Sequence, residues 1–161
     1  MATITKNKVR KLPDPGFDGV PYGNVAKFGY SFSTDSTGAM ENSDSSDPVA
    51  AGDKVLLGVI PGGTRLTDCD AIISDAFTTG TTADIGFEYV DGEDDANVPQ
   101  AADYFFSAAS TAATARLRQE NPVAPVTLPK DAYLILTVGG ADHASIGIMD
   151  IFIEGIVVGR P

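Results

Sequence analysis

The chain has very little cysteine and histidine and contains no tryptophan. Its 161 residues include one cysteine, Cys69, and one histidine, His143. A single cysteine excludes a disulfide within the chain, and it also excludes the cysteine-rich ligand sets of structural zinc sites. We therefore expect Cys69 to be a small, buried apolar residue.

Long apolar runs are also missing. No segment approaches the roughly 20 consecutive apolar residues that span a bilayer, and residues 1–12 are polar and basic with no apolar segment behind them. We therefore expect no membrane partner, and a product that stays in the cytoplasm of the cell that makes it.

Catalytic motifs are missing as well. His143 would have to serve any Ser-His-Asp or Cys-His arrangement, yet it follows a Gly-Gly-Ala-Asp turn without a nucleophile motif, so we expect a solvated turn residue. No glycine-rich phosphate loop is present either. A carboxylate pair for glycoside hydrolysis is not excluded, because the fold can bring together two of Asp70, Asp75 and Glu88. Enzymes of that kind normally carry aromatic sugar platforms. We predict that the protein is not an enzyme and holds no cofactor.

An acidic segment at residues 91–97 is the strongest candidate for a metal site. Its sequence, Asp-Gly-Glu-Asp-Asp-Ala-Asn, offers several oxygen ligands for Ca²⁺. It lacks the spacing of an EF-hand and the bidentate glutamate at the twelfth position. We therefore interpret the segment as a solvated hairpin tip and predict no metal there.

Charge is unevenly distributed along the chain. The formal net charge is −11, but residues 1–27 carry five basic and two acidic side chains, which leaves 6 basic and 20 acidic side chains in residues 28–161. An acidic body of this kind repels nucleic acid and anionic membranes. The basic N-terminal segment is suited to an acidic partner, and a solvated, disordered terminus is the alternative interpretation.

Residues 1–24 are predicted to form an extended basic arm. Pro13, Pro15 and Pro21 exclude a helix or a central strand there. The arm is expected to add to partner binding and to contribute little to the folding of the body, residues 25–161. The residues proposed to bind a partner are Lys6, Lys8, Arg10, Lys11, Phe17 and Tyr22.

Alternation of apolar and polar residues predicts strands throughout the body. One face is predicted to carry Val55, Leu57 and Val59, and another Thr67, Cys69, Ala71, Ile73 and Phe77. Residues 33–47 are polar and are predicted to form a long mobile loop. The predicted strands span residues 25–32, 54–60, 64–77, 84–90, 104–106, 111–118, 126–128, 132–138 and 146–158. Residues 111–118 are also rich enough in alanine for a helical turn, which is the alternative for that segment.

These segments predict an all-β fold. No helix of ten or more residues is apparent, and parallel sheets need long crossovers, so we expect an antiparallel two-sheet sandwich. A jelly roll is the first choice for eight or nine strands, and an immunoglobulin-like sandwich is the second. The missing tryptophan and cysteine pair count against the immunoglobulin fold.

Four segments resemble known virion proteins. The sequence Gly-Asp-Lys-Val-Leu-Leu-Gly-Val-Ile-Pro-Gly-Gly-Thr at residues 52–64 resembles a hairpin of capsid decoration, or cement, proteins of tailed bacteriophages. The likeness continues at residues 72–77, 85–92 and 126–134, within the range 52–158. Proteins of that family are β-sandwiches that sit as dimers or trimers on an assembled head and brace its subunits.

The resemblance implies a structural function. We expect a virion protein on the outer capsid surface, made in the host cytoplasm, that bridges neighbouring major capsid subunits. Its partners would be the major capsid protein and further copies of itself, as a homodimer or homotrimer. The alternatives are another virion module, such as a head-fibre base or tail protein, and a carbohydrate-binding sandwich.

Overall fold

Nine β-strands make up the regular structure of the described part of the chain. The structure, a computed structural model, describes residues 2–5, 24–119 and 121–159, and these contain no helix. Accordingly, none of the described segments is a helix that is long and apolar enough to cross a bilayer. The strands are β1 (Thr3–Thr5), β2 (Val25–Thr34), β3 (Lys54–Ile60), β4 (Thr64–Asp75), β5 (Thr82–Tyr89), β6 (Ala101–Ser110), β7 (Ala115–Arg118), β8 (Ala132–Gly139) and β9 (Gly147–Val157).

The strands form two sheets with the connectivity of a jelly roll. One sheet has the order β1-β3-β8-β5-β6 and the other the order β2-β9-β4-β7. β2 pairs with β9, β3 with β8, β4 with β7 and β5 with β6, and all four pairs are antiparallel. This is the pattern of one long hairpin rolled into two sheets. The predicted jelly-roll sandwich is confirmed.

The core lies between the two sheets and is built by the predicted alternation. β5 buries Ile85, Phe87 and Tyr89 and directs Asp84 and Glu88 to the other face. A sheet with one covered face produces this period of two. The core residues of β8 and β9 alternate along the strands and are apolar as predicted. One strand lies in each sheet, so these residues fill the core from both sides.

Two β-bulges change the predicted faces of β3 and β4. Register shifts lie between Leu56 and Gly58 in β3 and between Leu66 and Asp68 in β4. An extra residue in a strand reverses the alternation beyond it. Val59 is therefore only partly buried while Ile60 is buried, and Thr67 is exposed while Leu66 and Cys69 are buried. The predicted inward positions of Val59 and Thr67 are wrong for this reason.

The predicted N-terminal arm does not begin at the first residues. Strand β1 pairs in parallel with Lys54, Val55 and Leu56 of β3, and Ile4 is only 3% exposed. Residues 2–5 are thus an edge strand of the five-stranded sheet, which suits a segment without proline. The rest of the predicted arm, residues 6–23, lies outside the described residues.

The segment predicted as a long mobile loop, residues 33–47, is packed against the body. Its first residues continue β2, and Ala39 and Met40 are buried. The Asp35 carboxylate accepts hydrogen bonds from the backbone N–H groups of Thr37 and Ala39 at 2.7 and 3.1 Å. These bonds lower the pKa of Asp35, with the Thr37 side chain contributing most. Local hydrogen bonds of this kind replace the regular structure that the composition disfavours.

Candidate interaction surfaces

His143 is buried, so the expectation of a solvated turn residue is wrong. Its side chain is 2% exposed and lies edge-on to the rings of Phe32 and Phe77, with ring centroids 5.6 and 4.9 Å away. Burial lowers the pKa of His143 to about 4, so the ring is neutral at pH 7. A neutral imidazole packed edge-on against two stacked phenylalanine rings is part of the core.

Cys69 is buried as predicted. It lies on β4 in the core, and burial raises the pKa of its thiol, with the neighbouring carboxylates of Asp68 and Asp70 adding to the effect. A protonated, buried thiol is a poor nucleophile. Cys69 therefore packs as an apolar side chain.

The three carboxylates considered for glycoside hydrolysis lie on different sheets. Asp70 and Asp75 belong to β4, whereas Glu88 belongs to β5 in the opposite sheet and binds the Lys54 ammonium at 2.6 Å. The outward faces of β4 and β5 point in opposite directions, so Glu88 cannot join the other two at one sugar. The carboxylate pair that the sequence left open is not assembled.

A lysine side chain forms an ion pair with the acidic segment 91–97. The Lys130 ammonium lies 2.9 and 2.7 Å from the two carboxylate oxygens of Asp91 and 2.7 Å from the carbonyl oxygen of Glu93. Lys130 is also 4.7 Å from the centre of the Tyr89 ring. The ion pair lowers the pKa of Asp91. A fixed cation thus occupies the position that a metal ion would need.

Backbone N–H groups bind two other carboxylates of this segment. Asp94 accepts hydrogen bonds from the N–H groups of Asp95 and Gln100, and Asp95 accepts two from Asn97 and Val98. Within the described ranges, no group of three acidic, histidine or cysteine side chains is arranged to hold a metal ion. The segment is a hairpin tip held by its own side chains.

Three consecutive aromatic residues, Tyr104, Phe105 and Phe106, are buried in β6. The Tyr104 ring lies edge-on to Phe87 and Phe105, at centroid distances of 5.3 and 4.9 Å. A sugar-binding platform needs an exposed aromatic face. This cluster instead serves as core, as the sequence predicted.

The predicted partner-binding residues Lys6, Lys8, Arg10, Lys11, Phe17 and Tyr22 lie outside the described residues. Their flanking residues are placed, however. Thr5 ends β1 at the edge of the five-stranded sheet, and Asn24 accepts a backbone hydrogen bond from Val157 at the start of β2. The basic segment therefore connects the edges of the two sheets.

The outward face of the four-stranded sheet carries a mixture of charged and apolar residues, and we call it the β2-β9-β4-β7 face. Its side chains are those that alternate with the core residues of the four strands. Sequence reasoning did not identify it, because its residues come from four distant segments. The residues are Val25, Lys27, Gly29, Ser31 and Ser33 of β2; Ile148, Asp150, Phe152, Glu154 and Ile156 of β9; Arg65, Asp68, Asp70, Ile72 and Asp75 of β4; and Arg116 and Arg118 of β7.

Two arginines of the edge strand β7 bind two aspartates of β4. The Arg116 guanidinium donates to Asp70 at 2.8 Å, and Arg118 donates to Asp68 at 2.6 Å. Arg118 also lies 3.2 Å from Asp70. The hydrogen bond from Arg116 is the largest cause of the lowered pKa of Asp70. Because Asp70 is nearly fully buried, these pairs fix the short strand more firmly than exposed pairs would.

Phe152 lies at the middle of the same face. It stands opposite Gly29 of β2 and Asp70 of β4, and a Cβ atom at Gly29 would be 3.3 Å from its ring. The ring thus lies over the glycine backbone. The Lys27 ammonium is 5.9 Å from the centre of the ring. An aromatic side chain flanked by a lysine and by arginine–aspartate pairs marks this part of the surface.

Two solved structures share the architecture over almost the whole chain. A chain from the capsid of Ralstonia phage GP4 superimposes with a TM-score of 0.66 at 18% identity, covering 99% of this chain and 100% of that chain. A chain from the capsid asymmetric unit of cyanophage Pam1 gives a TM-score of 0.59 at 15% identity, covering 92% of this chain and 94% of that chain. The chains share a fold. Comparison with models of protein families gave no match, and comparison with curated protein sequences gave no significant one.

The agreement includes length as well as topology. Both chains are covered almost completely in the comparison with the Ralstonia phage capsid, so they differ little in size. Because both identities are below one fifth, this chain shares the strand pattern and the sheet topology with each of the two capsid chains but few side chains. The comparisons therefore establish the jelly-roll fold of this chain, whereas its binding partners are a matter of inference.

Proposed function

We propose that this chain is a structural virion protein that decorates a bacteriophage capsid and stabilises it by bridging neighbouring major capsid subunits. The observation that carries the proposal is the end-to-end match in fold with a chain from a phage capsid, which covers 99% of this chain and 100% of that one. The match with a chain from the cyanophage capsid supports it. The resemblance of residues 52–64 to decoration proteins points to the same class.

The described side chains support a role without catalysis. The residues that catalysis would use first, Cys69 and His143, are both buried in the core. The carboxylate of Glu88 is held by Lys54, and that of Asp91 by Lys130. These groups stabilise the fold, and we propose no reaction for them.

The proposed partners are the major capsid protein and further copies of this chain, as a homodimer or homotrimer on the outer surface of the shell. Lys6, Lys8, Arg10 and Lys11 are the proposed electrostatic contacts with acidic groups of the shell. Phe17 and Tyr22 are proposed to add apolar contacts. Extended segments that reach neighbouring subunits add buried area without enlarging the core.

Binding to empty heads tests the proposal. Purified protein is mixed with heads of the same virion that lack it, the heads are sedimented, and the pellet is imaged by electron cryomicroscopy. We expect saturable binding and added density at regular positions of the capsid lattice. Density at a fibre or tail position, or binding to glycans without binding to heads, would replace the proposal with one of the alternatives.

The basic segment is best tested by substitution, because removal of residues 1–24 would also remove β1 and the buried Ile4. A variant with Lys6, Lys8, Arg10 and Lys11 replaced by glutamine keeps that strand. We expect its affinity for heads to fall by about tenfold or more at low salt and to depend less on salt than that of the unmodified protein. Equal affinity and equal salt dependence would remove the segment from the proposed contact.

A further inference from the structure

The basic side chains of the described residues are concentrated on one face of the molecule. Six are described, and two of them, Lys54 and Lys130, lie away from this face, each within 2.7 Å of a carboxylate oxygen. The remaining four lie on the β2-β9-β4-β7 face. They are Lys27, Arg65, Arg116 and Arg118.

Acidic side chains have the opposite distribution. Of the 19 described carboxylates, five lie on the β2-β9-β4-β7 face and 14 lie elsewhere. The face therefore has a net charge of −1, from four basic and five acidic groups, while the other described residues have a net charge of −12, from two and 14. A second protein that carries carboxylates is repelled least, and can form opposite-charge pairs, at this face.

Apolar side chains lie between these charges. Phe152 and Ile72 are partly buried at the middle of the face, and Ile148 is 40% and Val25 62% exposed toward its ends. Protein interfaces are enriched in phenylalanine and arginine, and their apolar centres are surrounded by polar residues. The face has this composition, with Phe152 at its middle and the two arginines of β7 along one edge.

The basic N-terminal segment leads directly onto this face. Residues 6–23 end at Asn24, and Val25, the first residue of β2, belongs to the face. Together, the segment and the face contain eight of the chain's 11 basic residues.

We propose that the β2-β9-β4-β7 face docks on the capsid shell, against a protein surface that has carboxylates around an apolar patch. The inference rests on the proposed function and assigns its contact surface. Three strands of about ten residues and the four-residue β7, spaced by about 4.8 Å with roughly 3.3 Å per residue, give a face of roughly 540 Å². A standard interface buries about 800 Å² on each partner. The face supplies most of that area.

A pair of variants with the same net charge tests the docking face. The first replaces Lys27 and Arg65 on the face with glutamine. The control replaces Ser107 and Ser110, exposed residues of β6 in the other sheet, with glutamate. Both lower the net charge by two. We expect the first variant to bind heads about tenfold more weakly and the control to bind like the unmodified protein.

A second variant tests the apolar part. Ile148→Asn changes an exposed residue of β9 without altering charge, and we expect a loss of binding of about fivefold or more with an unchanged melting temperature. Melting curves of every variant establish that each one folds.

The outcomes separate this inference from the function on which it rests. If the unmodified protein binds heads and the face variants bind equally well, the docking face is overturned while the proposed function stands. If the unmodified protein does not bind heads, both are overturned. Sedimentation velocity covers a third outcome: variants that lose self-association but keep head binding would assign the face to a second copy and overturn docking on the shell.

Discussion

Acidification should destabilise this protein through His143. The imidazole is buried edge-on against the stacked rings of Phe32 and Phe77, and its Nδ1 atom has no hydrogen-bond partner among the described residues. Burial lowers the pKa of His143 from 6.5 to about 4, against an opposing effect of Asp142. The pKa of the Asp35 carboxylate is lowered by its hydrogen bonds, of which that from the Thr37 side chain contributes most.

The size of the effect follows from proton linkage. Below pH 6.5, the unfolded chain protonates His143 while the folded protein keeps it neutral, so the unfolded state binds more protons. The free energy of unfolding therefore falls as pH decreases from 6.5 toward 4, and the full stability is present only above 6.5. For these two pKa values, the loss between about pH 8 and about pH 5 is about 2 kcal/mol.

Urea denaturation of the protein and of a His143→Phe variant measures this loss. Phenylalanine keeps an aromatic ring at the site and removes the titrating group and the buried Nδ1 atom. With a slope of about 2 kcal/mol per molar urea, the midpoint of the unmodified protein should fall by about 1 M between about pH 8 and about pH 5. The variant's midpoint should fall much less. Parallel losses in the two proteins would refute the assignment to His143.

Three further predictions concern close contacts and ion pairs. Gly58→Ala should lower the free energy of unfolding by about 1–3 kcal/mol, because its Cβ would lie 2.6 Å from the Tyr30 ring; urea denaturation tests this. Asp70→Asn should speed hydrogen exchange of β7, because it weakens the bond to Arg116; unchanged exchange would contradict it. Millimolar Ca²⁺ should leave the melting temperature unchanged, since Lys130 already binds Asp91; a rise of several degrees would refute this.

Some features of the fold could be read directly from the alternation of residues. Strands β3, β5, β8 and β9 appear in the sequence as apolar residues at every second position, and their ends lie within about two residues of the predicted ones. The burial of Cys69 follows from the same local pattern, whereas Tyr104, Phe105 and Phe106 are buried at consecutive positions, which alternation does not explain. Composition also excluded a disulfide scaffold, because one cysteine cannot form a bridge within the chain.

Other features depend on contacts between distant segments. β-bulges moved Val59 and Thr67 out of the core, and a bulge is set by the partner strand as much as by its own residues. His143 follows a glycine-rich turn in the sequence, yet the chain around it packs this turn against Phe32 and Phe77. Ile4 is buried because β1 pairs with the free edge of β3. None of these outcomes has a local signal.

The sequence by itself determined that this protein is made of short amphipathic strands with an acidic body and a basic N-terminal segment, because period and charge are properties of neighbouring residues. The tertiary structure alone decided which strands pair. β2 meets β9 across more than one hundred residues, and that pairing brings Lys27, Phe152, Asp70 and Arg118 onto one face. Pairing over such separations is selected by how all the strands together close one core, which no single segment of the sequence specifies.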